Sequence, residues 1–315
     1  MKVFVAGAGG AIGRQLVPRL AAAGHEVVGM TRSESKRETV RGLGARPVIA
    51  DALDPEQVSR AVGEAEPEVV LHELTAIPAN LRPKRFDRDF APTNRLRSEG
   101  TDNLLAAARA AGVRRFVAQS FTGWPFARTG GPVKTEEDPL DPDPPAQFRR
   151  TLEVIRRLEN TVAGAEGMEG LVLRYGGFYG PGTAIGTEPD GAVVATIRRR
   201  GFPVVGGGSG VWSFVQVEDA AAATAAAVTS GSPGIYNVVD DDPAAVSEWL
   251  PILAAAIGAK PPRRAPRWLG RLLAGEAAVA MMTEQRGASN AKAKRELGWE
   301  LRYPSWRAGF SEGLG

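Results

Sequence analysis

The chain has 315 residues, 43% of them hydrophobic, enough to bury the core of one large α/β domain or one and a half. It has no cysteine and two histidines, which excludes disulfides and thiolate metal sites and leaves little for a histidine metal centre. The net charge of +3 is mild, and the arginine clusters at 149–150, 156–157, 198–200 and 263–264 are interleaved with acids, so they read as solvated surface and not as a nucleic-acid face.

In chain order, "MKVFVAGAGG" enters a strand (2–7) at once, with no apolar leader before it. A helix over 11–23 follows. "EVVGM" (26–30), "RPVIA" (46–50) and "PEVVLHEL" (67–74) read as strands, separated by helices near 33–42 and 55–63. A long helix from 94 to 111 precedes the strand "RRFVAQS" (114–120). A loop rich in Pro, Gly and Asp (123–145) leads to a helix over 146–164, where Leu152, Ile155, Leu158 and Val162 recur at three- and four-residue steps. "GLVLRYGGFYG" (170–180) is another buried strand. A helix near 190–200, short strands at 202–205, 212–217 and 234–239, and several C-terminal helices complete the chain.

This rhythm predicts an α/β fold: a doubly wound parallel sheet (Rossmann fold) with helices on both faces and a smaller C-terminal substrate lobe. The expected division is a dinucleotide-binding domain over 1–180, to which 211–240 returns, and a lobe built mainly from 181–315. No later apolar run is long enough to span a bilayer, so a soluble cytoplasmic protein is the default expectation.

"GAGGAIG" places glycines at 7, 10 and 13 between the first strand and the first helix. That spacing suits a tight turn, close approach of backbone to a pyrophosphate, and close helix–strand packing, with the helix N-terminus facing the phosphate. Gly7, Gly10, Ala11, Ile12 and Gly13 are therefore candidate cofactor contacts. At the end of the second strand an NAD site would carry an acid; here Thr31, Arg32 and Ser33 stand there, with Lys36 and Arg37 close behind. A guanidinium at Arg32 pairs with a 2′-phosphate, so NADP(H) is preferred, with NAD(H) the alternative. Asp51 and Ala52 close the third strand, where Asp51 is placed either to accept from the adenine amino group or to serve as a turn residue. Leu74, Thr75 and Ala76 after the fourth strand, and Gln119 and Ser120 at the end of the fifth, complete the expected contacts. His72 reads as a satisfied core histidine and not as a base.

These features resemble the extended short-chain dehydrogenase/reductase family of the NAD-dependent epimerase/dehydratase type, along nearly the whole chain. "NRLRSEGTDNLLAAARAAGVRRFVAQS" resembles the family's Asn-x-x-Gly-Thr-x-Asn-Leu-Leu helix and following strand, and "LVLRYGGFYGPGT" its Arg-x-x-x-x-Tyr-Gly-Pro-Gly strand. "WSFVQVEDAAAA", "YNVVDDDP" and "NAKAKRELGW" resemble later landmarks. The resemblance implies a tyrosine acid/base, a lysine four residues on that lowers its pKa and holds the nicotinamide ribose, and a serine or threonine past the fifth strand. Counting back from Glu159, these helix positions fall on Thr151 and Ile155; the chain contains no Tyr-x-x-x-Lys. The serine site reads Phe121, flanked by Ser120 and Thr122. Trp212 and Gln216 stand where relatives acting on nucleotide-sugars often carry arginine and histidine.

The expectation is an NADPH-dependent reductase with a rewired proton donor. Tyr179 is the substitute acid, or else a structural tyrosine shaping the Gly-Pro turn, and Thr122, Ser120 and Thr151 are hydrogen-bonding candidates. Trp124, Phe178, Tyr179, Trp212, Met281 and Thr122 are the expected substrate contacts, favouring an apolar or aromatic small molecule. Two alternatives stand beside it: a non-redox isomerase, lyase or cyclase, and an NADP(H)-sensing binding protein. No metal, nucleic acid or membrane partner is expected. The helices near 94–111 and 146–164 leave monomer and homodimer open.

Overall fold

The computed structural model describes residues 1–78, 81–187 and 191–315. Seven strands form one parallel sheet: β1 (Lys2–Ala6), β2 (Glu26–Thr31), β3 (Arg46–Ile49), β4 (Val69–His72), β5 (Arg115–Phe121), β6 (Glu169–Tyr175) and, returning late in the chain, β9 (Gly234–Val238). Their order is β9-β6-β5-β4-β1-β2-β3, so the strand order reverses between β1 and β4. That reversal opens a crevice at the carboxyl edge, the place where ligands bind in such sheets.

Alternating side chains feed two cores, one on each face of the sheet. Val3, Val5, Leu71, Val117 and Leu173 pack under α1 (Ala11–Ala22) and α9 (Val217–Ala227), which lie together. Phe4, Val70, Phe116 and Val172 face the other way, with α3 (Pro55–Ala65), α6 (Thr101–Ala110) and α7 (Arg149–Ala163). Both faces are covered, which is why these strands are continuously apolar. Asp54 caps α3 by accepting from the Glu56 and Gln57 amides, and Pro55 opens the helix.

Three expected elements differ in detail. The helix expected over 94–111 starts earlier, as α4 (Phe86–Asp89) and α5 (Ala91–Arg95), and joins α6 through a π-helical turn, Leu96–Gly100. The strand expected over 170–180 breaks at Gly176. Its last residues form β7 (Gly177–Tyr179), which leaves the main sheet and pairs with β8 (Phe214–Gln216). The strand expected over 212–217 is likewise split, Val211–Trp212 pairing with Ala244–Ala245 instead. A separate apolar cluster gathers Tyr179, Phe214, Trp249, Trp306 and Phe310 from β7, β8, α10 (Val246–Ala256) and α14 (Trp306–Glu312). The helix expected near 190–200 is α8 (Ala192–Arg198); position 190 lies outside the described residues.

Candidate functional site

Sterics force the turn after β1. Gly7 has φ +102°, and a Cβ there would lie 2.8 Å from the Glu73 carbonyl oxygen. The Gly10 amide donates to the Gly7 carbonyl at 2.9 Å. A Cβ on Gly13 would lie 2.4 Å from that same carbonyl oxygen, so only glycine lets α1 start this close to the loop. No side chain caps the first turn of α1, leaving the amides around Ala11 and Ile12 to face a ligand, while the Ile12 side chain is buried in the core. The cradle fits a pyrophosphate.

Around the crevice the other expected contacts take their places. Thr31 is buried, and its hydroxyl accepts from the Ser33 amide at 3.3 Å. Arg32 is exposed and makes no ion pair with a described residue, whereas Arg37 is held by Glu34. The Lys36 stem reaches across Gly9, whose Cβ would stand 3.5 Å from it. Asp51 forms a turn, Oδ1 accepting from the Leu53 amide at 3.0 Å, and the Ala52 carbonyl accepts from Asn103 at 2.9 Å. After β4, Leu74 is half-buried, Thr75 and Ala76 are exposed, and the Ala76 amide donates to Thr93. Gln119 is buried at the end of β5.

His72 is a satisfied core residue. Its Nδ1 accepts from the Leu74 amide, which places the proton on Nε2, facing the Leu96 carbonyl and Thr101. Burial pushes its pKa down to about 4.

All four expected catalytic hydroxyls are engaged or enclosed. Ser120 donates to Glu159 at 2.7 Å, and Glu159 holds Arg174 through two bonds of 2.8 and 2.6 Å, all of it buried. Thr151 donates to Asp87 at 2.6 Å and accepts from Asn94 at 3.0 Å, while Asp87 also takes the Arg150 and Thr151 amides at the start of α7. The Thr122 hydroxyl is buried without a partner among the described residues. Tyr179 ends β7, off the main sheet. It is fully buried in the C-terminal cluster, edge-on to Phe310, and a Cβ on Gly309 would collide with its hydroxyl. Burial, ahead of Asp240 and Asp219, raises its pKa, so the structure corrects the expectation of an accessible acid there.

Trp124 and Met281 do meet, in a slot completed by Phe148, Gln285 and the Arg128–Asp141 pair. Its void is only about 10 Å³, so a flat ligand enters only when a side chain swings aside. Trp124 packs on Phe148 and Phe86 at centroid distances of 4.5 and 5.2 Å. Trp212 borders the slot through its indole N–H, which donates to the Met281 carbonyl at 2.9 Å, but its ring packs on Trp249. Phe178 is drawn away, onto Tyr175. A larger open groove of about 450 Å³ lies beside α7, between Asp141–Pro144 and Arg149, Glu153 and Arg156; it is mixed in charge and does not touch the glycine loop.

Reading the sequence missed Glu73. The residue is buried beside Gly7, its Oε1 accepts from the Tyr175 hydroxyl at 3.2 Å, and Oε2 has no partner among the described residues. Tyr175 in turn shares a 2.7 Å bond with Thr224 on α9. Burial pushes the Glu73 pKa up to about 8, so the folded state favours the neutral acid. A raised carboxyl pKa contributes stability that is present below the ordinary carboxylate range and is lost as pH rises toward 8. Glu73→Gln should therefore match the wild type in thermal unfolding at acid pH and exceed it increasingly toward pH 8. A constant offset across that range would remove Glu73 as the titrating group.

A parallel sheet whose first turn is a glycine cradle at the reversal of strand order defines a dinucleotide-binding α/β protein. The chain belongs to the NAD dependent epimerase/dehydratase family, whose model matches residues 3–238. It is 45% identical to a protein from Streptomyces sp named 3-diazoavenalumate denitrifying reductase, over 98% of this chain and 99% of that one. It is 28% identical to the 4-hydroxy-2-methyl-3-oxo-4-farnesyl-3,4-dihydroquinoline-1-oxide ketoreductase of Stigmatella aurantiaca, over 95% and 92% of the two chains. Among solved structures it resembles the UDP-glucose 4-epimerase of Thermus thermophilus in complex with NAD, with a TM-score of 0.75 and 26% identity over 100% and 98% of the chains.

Proposed function

We propose that the protein is an NAD(P)H-dependent reductase that replaces dinitrogen by hydride on an aromatic diazonium compound. What supports this reading is α7, where, on the family resemblance, Thr151, tied to Asp87 and Asn94, and the buried Ile155 fall at the positions of the tyrosine and lysine. Reduction of a carbonyl needs a proton for the oxygen as well as hydride for the carbon. Exchange of dinitrogen for hydride needs none: the C–N bond breaks with its electron pair leaving on N₂, and the new C–H bond takes the pair that hydride brings. A site without an acid suits the second reaction and not the first. The relative with 45% identity, named a denitrifying reductase of a diazo acid, supports the same chemistry. The Trp124–Phe148–Met281 slot supports a flat, apolar ring as its occupant.

The reduced nicotinamide supplies hydride when bound. Gly7, Gly10 and Gly13 hold its pyrophosphate at the start of α1. Arg32 and Lys36, uncommitted to any acid among the described residues, favour the 2′-phosphate of NADP(H). Trp124 and Met281 exclude water from the acceptor, and Thr122 orients it. No role in the chemistry falls to Tyr179.

Spectrophotometry with a panel of acceptors tests the reading. Oxidation of NADPH by an aryl diazonium carboxylate, with none by aromatic ketones or aldehydes, is the expected result. Turnover of ketones with an acid limb in the pH profile would overturn it. Cofactor binding with no oxidation by any acceptor would favour the isomerase, lyase, cyclase or sensor alternatives.

A further inference from the structure

We propose that Arg97 is the cation that holds the nicotinamide ribose, entering from the π-helical turn to do what the resembled family does with a lysine on α7. The inference rests on the cofactor part of the function proposed above. Arg97 is 3% exposed, and both Nε and Nη1 are buried without a hydrogen-bond partner among the described residues. No guanidinium nitrogen of Arg97 bonds to a described residue. Its pKa is lowered by burial to about 10, with Glu159 opposing the shift, so it remains charged at neutral pH.

A buried guanidinium with free donors is costly, and such groups are found paired. The neighbouring carboxylate does not complete the pairing, because both oxygens of Glu159 are taken by Arg174 and Ser120. Among the described residues, the protein thus leaves one positive charge and two donor nitrogens unanswered inside the fold, a donor set that suits vicinal hydroxyl oxygens.

The register of the two helices puts that charge at the right height. Both helical runs lead into adjacent strands of one parallel sheet, so they run in the same direction, and the π turn packs on α7. The Asn94–Thr151 bond of 3.0 Å aligns them. One turn further on, Arg97 comes level with Ile155, the lysine position, and close enough to Glu159 and His72 to influence both charges. The π turn widens the helix at this point, a distortion that concentrates at functional sites. Isoleucine at 155 leaves that position of α7 without a cation, and Arg97 delivers one from the neighbouring element.

The test compares the wild type with Arg97→Met and Arg97→Lys, titrated with NADPH and NADH and with their adenosine halves, 2′,5′-ADP and ADP, which lack the nicotinamide ribose. Arg97→Met should weaken the full dinucleotide by about tenfold or more while leaving the adenosine half unchanged, since two charge-assisted hydrogen bonds are lost. Arg97→Lys should recover most of that loss. Thermal unfolding of ligand-free Arg97→Met should be no lower than wild type, because a buried unpaired charge has been removed. Dinucleotide binding within about twofold of wild type would overturn the proposal. So would equal weakening of both ligands together with a lower melting temperature, which marks a structural role. If the wild type binds neither dinucleotide, the cofactor reading itself fails, and this inference falls with it.

Discussion

Glu159→Ala should destabilise the protein by about 3–5 kcal/mol, the range measured when one partner of a buried ion pair is removed. Glu159 is 2% exposed and Arg174 3%. Two bonds join them, and a third comes from Ser120. Removing the carboxylate strands the Arg174 guanidinium, whose Nη1 has no hydrogen-bond partner among the described residues and which otherwise lies over the Phe126 ring at 5.4 Å. It also removes the negative charge nearest Arg97. Glu159→Gln keeps acceptor capacity for one of the bonds and should lose less. Urea unfolding measures both; a loss below about 1 kcal/mol for the alanine variant would mean that the arginines reach solvent, contrary to their burial.

Gly13→Ala should abolish saturable dinucleotide binding, with a loss on the order of 100-fold or more. The added methyl would stand 2.4 and 2.5 Å from the Gly7 and Ala8 carbonyl oxygens, both backbone atoms that cannot rotate aside. Relief requires the start of α1 to move off the loop by about 1 Å, which withdraws the first-turn amides from the phosphate; a displacement of that size is enough to cost two orders of magnitude. Fluorescence titration with NADPH and NADH reads the effect, and circular dichroism confirms that the sheet persists. Unchanged affinity in a folded variant would mean that the cradle is not where the cofactor's phosphates lie.

The parts of the fold legible in the sequence are those fixed by local pattern. The strand–glycine–helix order at residues 2–22 and the apolar runs of β1, β5 and β6 carry their meaning within a few residues. The parts that were not legible depend on distant chain. Residue 176, where β6 ends, is glycine because a side chain there would meet the Ser213 carbonyl at 2.7 Å, a contact no local window contains. Tyr179 looks like a residue at a strand mouth until Gly309 of α14 is laid over its hydroxyl. Thr151 looks free until Asp87, 64 residues earlier, accepts from it. Glu73 is inconspicuous because a lone glutamate after a strand resembles a solvated loop residue; only the packing of β4 against Gly7 and Tyr175 makes it a buried acid. Arg97 is hidden in the same way, one arginine in a stretch "NRLRSEG" that reads as exposed helix.

The central claim is that this site delivers hydride without an acid, and label transfer tests it most directly. The protein is incubated in ordinary water with an aryl diazonium carboxylate and reduced cofactor carrying deuterium at both hydride positions. The account predicts a product in which dinitrogen has been replaced by deuterium, with one cofactor oxidised for each product formed. Product carrying hydrogen from water at that carbon, or product formed while the cofactor stays reduced, would contradict it.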